Sequence, residues 1–204
     1  MIKNIIFDFG DVFINLDKQI VFREAEKYGA LDRLGSEMKQ INNDFEVGRI
    51  SIEAFISALK RIFPEIGEQK IVDIWNGMLL DFPKKRLEFL ESLVRDGEYR
   101  LFLLSNTNAL HIPHVQRIMG VTDYNRFKGA FERFYLSHEI GLRKPNTEVF
   151  EFVLKENHLT ASETFFIDDT KENTDGAEKL GIRTWNLQVG LEDVVQLKEK
   201  LWHV

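Results

Sequence analysis

Four short apolar runs stand far apart in the chain: Ile5-Ile6-Phe7, Leu101-Phe102-Leu103-Leu104, Phe165-Phe166-Ile167 and Thr184-Trp185-Asn186-Leu187. Each is continuous in polarity rather than alternating, as expected for strands buried on both faces of a parallel sheet. Between them the apolar positions fall at helical spacing. Leu87, Leu90 and Val94 share one helix face with Gly97 as a stop, and Phe150, Val153 and Leu154 share another after a start at Pro145-Asn146-Thr147. Ala177 and Leu180 form a third helix that ends at Gly181. Strand–helix alternation of this kind predicts an α/β fold, a doubly wound and mostly parallel sheet with right-handed crossovers.

Residues 16–82 depart from the alternation. The groups Ile20-Val21-Ala25-Tyr28, Met38-Ile41-Phe45, Phe55-Ile56-Leu59-Ile62 and Ile71-Ile74-Trp75-Leu79 are all helical in period, and no strand-like run separates them. The pattern predicts four short helices inserted after the first strand. They form a cap over 16–82 and leave 1–15 and 83–204 as the α/β core. Helices this short bury little surface alone, so the cap must lean on the core. Phe45, Phe55 and Trp75 are assigned to its interior.

Composition narrows the class without changing this picture. A chain of 204 residues that is 44% hydrophobic and 29% charged, with 17 Phe, belongs with folded globular proteins. A formal net charge of −6 argues against broad binding to nucleic acid or anionic membrane. No apolar run approaches the ~18 residues of a membrane span, and the N-terminal stretch has no signal-peptide layout. Cysteine is absent, which excludes disulfides, thiolate metal sites and a cysteine nucleophile, and suits a cytoplasmic protein.

In open α/β sheets ligands bind beyond the carboxyl ends of the strands, so the polar residues there carry the candidate chemistry. The first strand ends in Asp8. The second ends in Ser105-Asn106-Thr107-Asn108, and the run 165–167 ends in Asp168-Asp169 with Asn173 beyond. Lys144 precedes Pro145, and proline disfavours helix in the residue before it, so Lys144 sits in an extended loop. Taken singly, these residues have plainer readings: a turn at Asp8, helix caps at Ser105 and Asp168-Asp169, a solvated lysine at 144. Together they make three carboxylates, an amide, a hydroxyl and an ammonium. Hard oxygen ligands suit Mg²⁺, lysine and hydroxyl groups hold phosphoryl oxygens, and a carboxylate can attack phosphorus. The set reads as magnesium-assisted phosphoryl transfer to an aspartate.

The order "FDFGDV", "LLSNTN", "RKPNTEVFE", "FFIDDTKENTDGA" resembles the four motifs of the haloacid dehalogenase-like (HAD) hydrolase superfamily, and the helical insert is similar to its type-1 cap. The resemblance spans essentially the whole chain. In detail it lies closest to the branch of sugar-1-phosphate phosphatases and the N-terminal phosphatase domain of soluble epoxide hydrolases. It implies a Mg²⁺-dependent phosphatase acting on a small phosphorylated metabolite, a sugar phosphate among the candidates. Asp8 would be the nucleophile and a metal ligand, Asp169 a direct metal ligand, Asp168 its support, and Asn173 a contact through water. Ser105 would bind phosphate with Asn106, Lys144 would pair with Asp8 and the phosphoryl group, and Gly10 would offer its backbone carbonyl to the metal.

The sequence departs from that family at one place. The first motif is usually Asp-x-Asp-Gly, whose second acid donates and accepts the proton; here Gly10 takes that position and Asp11 follows. Three accounts stand: a leaving group that needs little protonation, an Asp11 that swings inward, or a weak enzyme or binding protein with a relic site. A metal-independent 2-haloacid dehalogenase is the alternative enzyme, although that branch usually has tyrosine at the position of Gly10 and lacks the paired acids. Arg49 and Arg143 are candidates to touch an anionic substrate, and His111 and His114, three apart, a candidate pair on one helix face.

Overall fold

The fold is described by a computed structural model covering residues 1–201. Five strands, β1 (Asn4–Phe7), β2 (Arg100–Ser105), β3 (Arg133–Leu136), β4 (Thr164–Asp168) and β5 (Arg183–Asn186), form one all-parallel sheet in the order β3-β2-β1-β4-β5. Ile5 pairs with Leu101 on one side and Phe165 on the other, and Phe7 with Leu103 and Ile167. The period of two then sorts these residues by face. Ile5, Phe7, Leu101, Leu103, Phe165 and Ile167 line one core; Ile6, Phe102, Leu104 and Phe166 line the other. Both faces are dry, which explains the unbroken apolar runs.

The four strands expected from those runs are present. The edge strand β3 was not foreseen, because it is short and its Arg133, Phe134 and Tyr135 are only partly covered. The first face is packed by α5 (Lys84–Asp96), α6 (His111–Met119), α7 (Val121–Gly129) and α11 (Leu197–Leu201). The second is packed by α9 (Thr147–Glu156) and α10 (Lys171–Glu178). α5 buries Leu87, Leu90 and Leu93 and leaves Val94 48% exposed, so its apolar face follows steps of three rather than turning to Val94. α10 runs so close to the chain before α9 that a Cβ at Gly176 would lie 2.3 Å from the Pro145 carbonyl oxygen.

The turn after β1 is fixed by aromatic packing. The rings of Phe9 and Phe13 lie 5.3 and 5.0 Å from that of Phe127 in α7, contacts worth about 0.5–1.5 kcal/mol each beyond burial. The helical insert comprises α1 (Ile20–Lys27), α2 (Ser36–Glu46), α3 (Ile52–Ile62) and α4 (Glu68–Asn76). Its interior stacks Phe45 on Phe55 at 4.1 Å and sets Trp75 edge-on to Phe55 at 4.8 Å; Ala109 and Leu110 of the loop after β2 pack against it. The two connections that join the insert to the sheet pair with each other. Leu80 N–H donates to Asn15 O at 2.9 Å, and Asp17 N–H to Met78 O at 2.8 Å.

Candidate active site

Strand alternation aims two carboxylates at one point. Asp8 follows β1 and Asp168 ends β4; both share the parity of Ile6 and Phe166, so both face the α9–α10 side of the sheet. Asp8 N–H donates to Ile167 O at 2.9 Å, which holds the two strand ends together. Lys144 enters from that side. Its Nζ lies 2.7 Å from Asp8 Oδ1 and 2.6 Å from Asp168 Oδ2, and the residue is wholly buried. Its backbone is clamped by Asn106, whose amide side chain accepts from Lys144 N–H and donates to Lys144 O, both at 2.9 Å. Asp168 is fixed further by Asn173 Nδ2, 3.0 Å from each carboxylate oxygen, and by Thr170 N–H at 2.8 Å. Asn173 thus orients Asp168 directly.

Asp169 completes the cluster: one carboxylate oxygen each from Asp8, Asp168 and Asp169 lie within 4.8 Å of one another. A single ammonium serves both Asp8 and Asp168. Burial therefore pushes the Asp8 carboxyl up to about 7, against the attraction of Lys144, with Asp168 adding repulsion. Burial raises Asp169 too, opposed by Lys18. An all-oxygen donor set carrying more negative charge than its buried cation offsets is the environment a hard divalent ion fits.

Lys18 was not singled out in the sequence. It leaves the chain just before α1 and its Nζ bridges Asp11, at 2.9 Å, and Asp169, a residue 151 positions away. Both carboxylates raise the Lys18 ammonium above its ordinary value, outweighing its partial burial. No local pattern marks such a residue, because it is defined by its distant partners. Replacing Lys18 by methionine removes a positive charge from beside Asp169. The variant is expected to bind Mg²⁺ several-fold more tightly in calorimetric titration, and unchanged affinity would show that Lys18 does not shield the cluster.

A Cβ at Gly10 would lie 2.8 Å from Leu16 Cδ1 and 3.9 Å from Asp8 Oδ2, so the space that a side chain at 10 would fill beside Asp8 is taken by Leu16. Asp11 adopts a left-handed conformation, φ 54°, and is buried. Its Oδ1 accepts from Leu16 N–H at 2.9 Å and its Oδ2 pairs with Lys18. Its carboxylate is thus tied to the insert's connection through Leu16 and Lys18.

Ser105 closes β2 and is buried. Arg49 stands apart: it is exposed and pairs with Asp44 of its own helix pair at 3.1 Å. Arg143 reaches Glu46 of α2 at 2.8 Å. His111 is buried, its Nε2 donating to Trp75 O at 3.1 Å and its Nδ1 3.3 Å from Asn108 Nδ2, and burial lowers it to about 4. It remains neutral and joins insert to core, while His114 turns to Arg117. Among the described residues no helix is long and apolar enough to cross a membrane.

The sequence profile of haloacid dehalogenase-like hydrolases matches residues 5–187. A D-ribitol-5-phosphate phosphatase of Bacteroides thetaiotaomicron is 28% identical over 197 residues, covering 94% of this chain and 95% of that one. A crystal structure of a HAD family enzyme from the same organism, a substituted form in complex with magnesium and inorganic phosphate, superposes with a TM-score of 0.81 at 31% identity, covering 97% of this chain and 99% of that one. A HAD-like hydrolase structure from Porphyromonas gingivalis gives a TM-score of 0.77 at 32% identity, covering 100% and 99%. With the profile spanning all five strands and the relatives matching end to end, this chain belongs to the haloacid dehalogenase-like hydrolase family.

Proposed function

We propose that the protein is a Mg²⁺-dependent phosphatase that hydrolyses a small phosphorylated metabolite through an aspartyl-phosphate on Asp8. The observation that carries this reading is the buried Lys144 bridging Asp8 and Asp168 beside Asp169, an excess of carboxylates at the strand ends. The ribitol-phosphate phosphatase relative and the magnesium–phosphate complex of a HAD family enzyme support it.

Asp8 and Asp169 would hold the cation with the Gly10 carbonyl, and Asp168 would set their spacing. When bound, the cation neutralises phosphoryl oxygens and so lowers the barrier to attack by an anion. An Asp8 carboxylate oxygen attacks phosphorus as the bond from phosphorus to the ester oxygen breaks, and the departing oxygen takes a proton. Water then attacks the phosphorus of the aspartyl-phosphate, releasing inorganic phosphate and regenerating Asp8. Lys144 holds Asp8 in line and faces the incoming negative charge, and Ser105, with Asn106, lies where the phosphoryl oxygens come to rest. Neither Gly10 nor the engaged Asp11 supplies the proton, so substrates whose leaving oxygen needs least help are favoured, and solvent supplies the proton.

The test is a panel of phosphate esters spanning sugar, polyol, anomeric and acyl phosphates, assayed with Mg²⁺ and with EDTA. Turnover of at least one ester that falls about 10²-fold or more on chelation is expected. Absence of turnover across the panel would sink the reading. A metal-independent dehalogenase would instead release halide from 2-haloacids in EDTA. The likeness to L-2-haloacid dehalogenase, at 17% identity and a TM-score of 0.66, speaks for the fold alone.

A further inference from the structure

Besides the bridge made by Lys18, the helical insert meets the core through a charged contact at the end of α2. α2 ends at Glu46, whose Oε1 accepts from Asn42 Nδ2, one turn earlier, at 3.1 Å. Its Oε2 accepts from Arg143 Nε at 3.0 Å and lies 2.8 Å from an Arg143 terminal nitrogen. The two side chains are 17% and 26% exposed, so the pair is largely screened from water. The turn that follows packs on the same part of the core. Gly48, at φ +67°, lies so near α8 (Ser137–Ile140) that a Cβ would stand 2.3 Å from the His138 carbonyl oxygen. Only glycine allows that approach.

The core segment that receives this contact is the one that carries Lys144. At its start, Ser137 Oγ accepts from Thr107 N–H at 2.9 Å and donates to Thr107 O at 3.0 Å. At its end, Asn106 clamps the Lys144 backbone. Thr107 and Asn106 belong to the loop after β2, next to Ser105. The insert therefore presses, through His138 and Arg143, on a segment whose two ends are tied to the candidate phosphate-binding loop.

We propose that Glu46 and Arg143 are positioning residues: their ion pair latches the insert closed, and closure sets the 137–144 segment so that Lys144 reaches Asp8. The role of Lys144 in turnover rests on the phosphatase reading above; the latch itself does not. The pair spans 97 residues of sequence and joins parts that each keep their own core, so breaking it opens the contact without unfolding either part.

The experiment compares Glu46→Gln, Arg143→Gln, the two combined, and the charge swap Glu46→Arg with Arg143→Glu. Two readouts are used: KM and kcat on the ester that the wild type hydrolyses, and hydrogen exchange of amides 47–49 and 138–143 in the full-length protein. Each single variant is expected to raise KM about fivefold, the range of a largely screened ion pair, with faster exchange in both segments and an unchanged unfolding midpoint. The double Gln variant adds nothing to either single, and the swap restores both readouts, as a direct pair requires. Additive single effects, a swap that restores neither readout, or a single variant indistinguishable from wild type would overturn the latch. If the wild type hydrolyses no ester while the exchange pattern appears and is rescued, the latch stands and the phosphatase reading fails.

Discussion

Asp8→Asn is expected to reduce ester hydrolysis by about four orders of magnitude or more, because it removes the carboxylate oxygen proposed to attack phosphorus. The same variant should stabilise the metal-free protein above neutral pH. Asp8 has an ordinary value of 3.8 and is raised by burial to about 7 in the fold. Between those values the folded protein keeps a proton that the unfolded chain has released, so wild-type stability falls as pH rises from about 4 to 7. Asparagine stays neutral throughout and removes that slope. Urea unfolding in EDTA at pH 5 and pH 8 checks the point: the variant should gain on the wild type at pH 8, and the advantage should reverse in Mg²⁺. Loss of activity with no change in the pH slope would mean that Asp8 carries little excess charge in the fold.

Lys144→Met is the second large effect. The substitution keeps a similar volume but leaves Asp8 and Asp168 buried with no cation between them. Removing one partner of a buried charged pair costs about 3–5 kcal/mol, against about 5–15 kcal/mol for the whole stability of an ordinary domain. Asn173 and Thr170 still hold Asp168, so the strain falls on Asp8. Protonation relieves it, so the deficit against wild type should be larger at pH 8 than at pH 5. A deficit that does not vary with pH would assign the cost to packing against Phe166, whose ring centre lies 5.3 Å from Nζ. Turnover is expected to be lost at either pH.

Much of the fold was legible because burial on both faces of a parallel sheet writes itself into the sequence as unbroken apolar runs. That signal fails at an edge. β3, whose Arg133 is exposed and whose Phe134 and Tyr135 are only partly covered, has no unbroken buried run to read. It fails by one step in α5 as well, where Leu93 and Val94 both continue the spacing and only packing decides that Leu93 goes inside. The polar cluster was legible for a related reason. Strand ends are local features, and a parallel sheet brings its carboxyl ends to one edge, so Asp8, Ser105 and Asp168-Asp169 gather there once the strands are recognised.

What the sequence determined by itself is therefore set by short periods: which segments are strands, which are helices, and which polar residues follow a strand. The tertiary structure decided which charges meet. Asp168 shares Lys144 with Asp8, Asp11 is drawn to Lys18, Leu16 fills the space beside Gly10, and Glu46 reaches Arg143 across 97 residues. Period tells a side chain's face but not its partner. The partner depends on how the insert folds back on the sheet, and that is fixed by the packing of both cores together rather than by any stretch of chain.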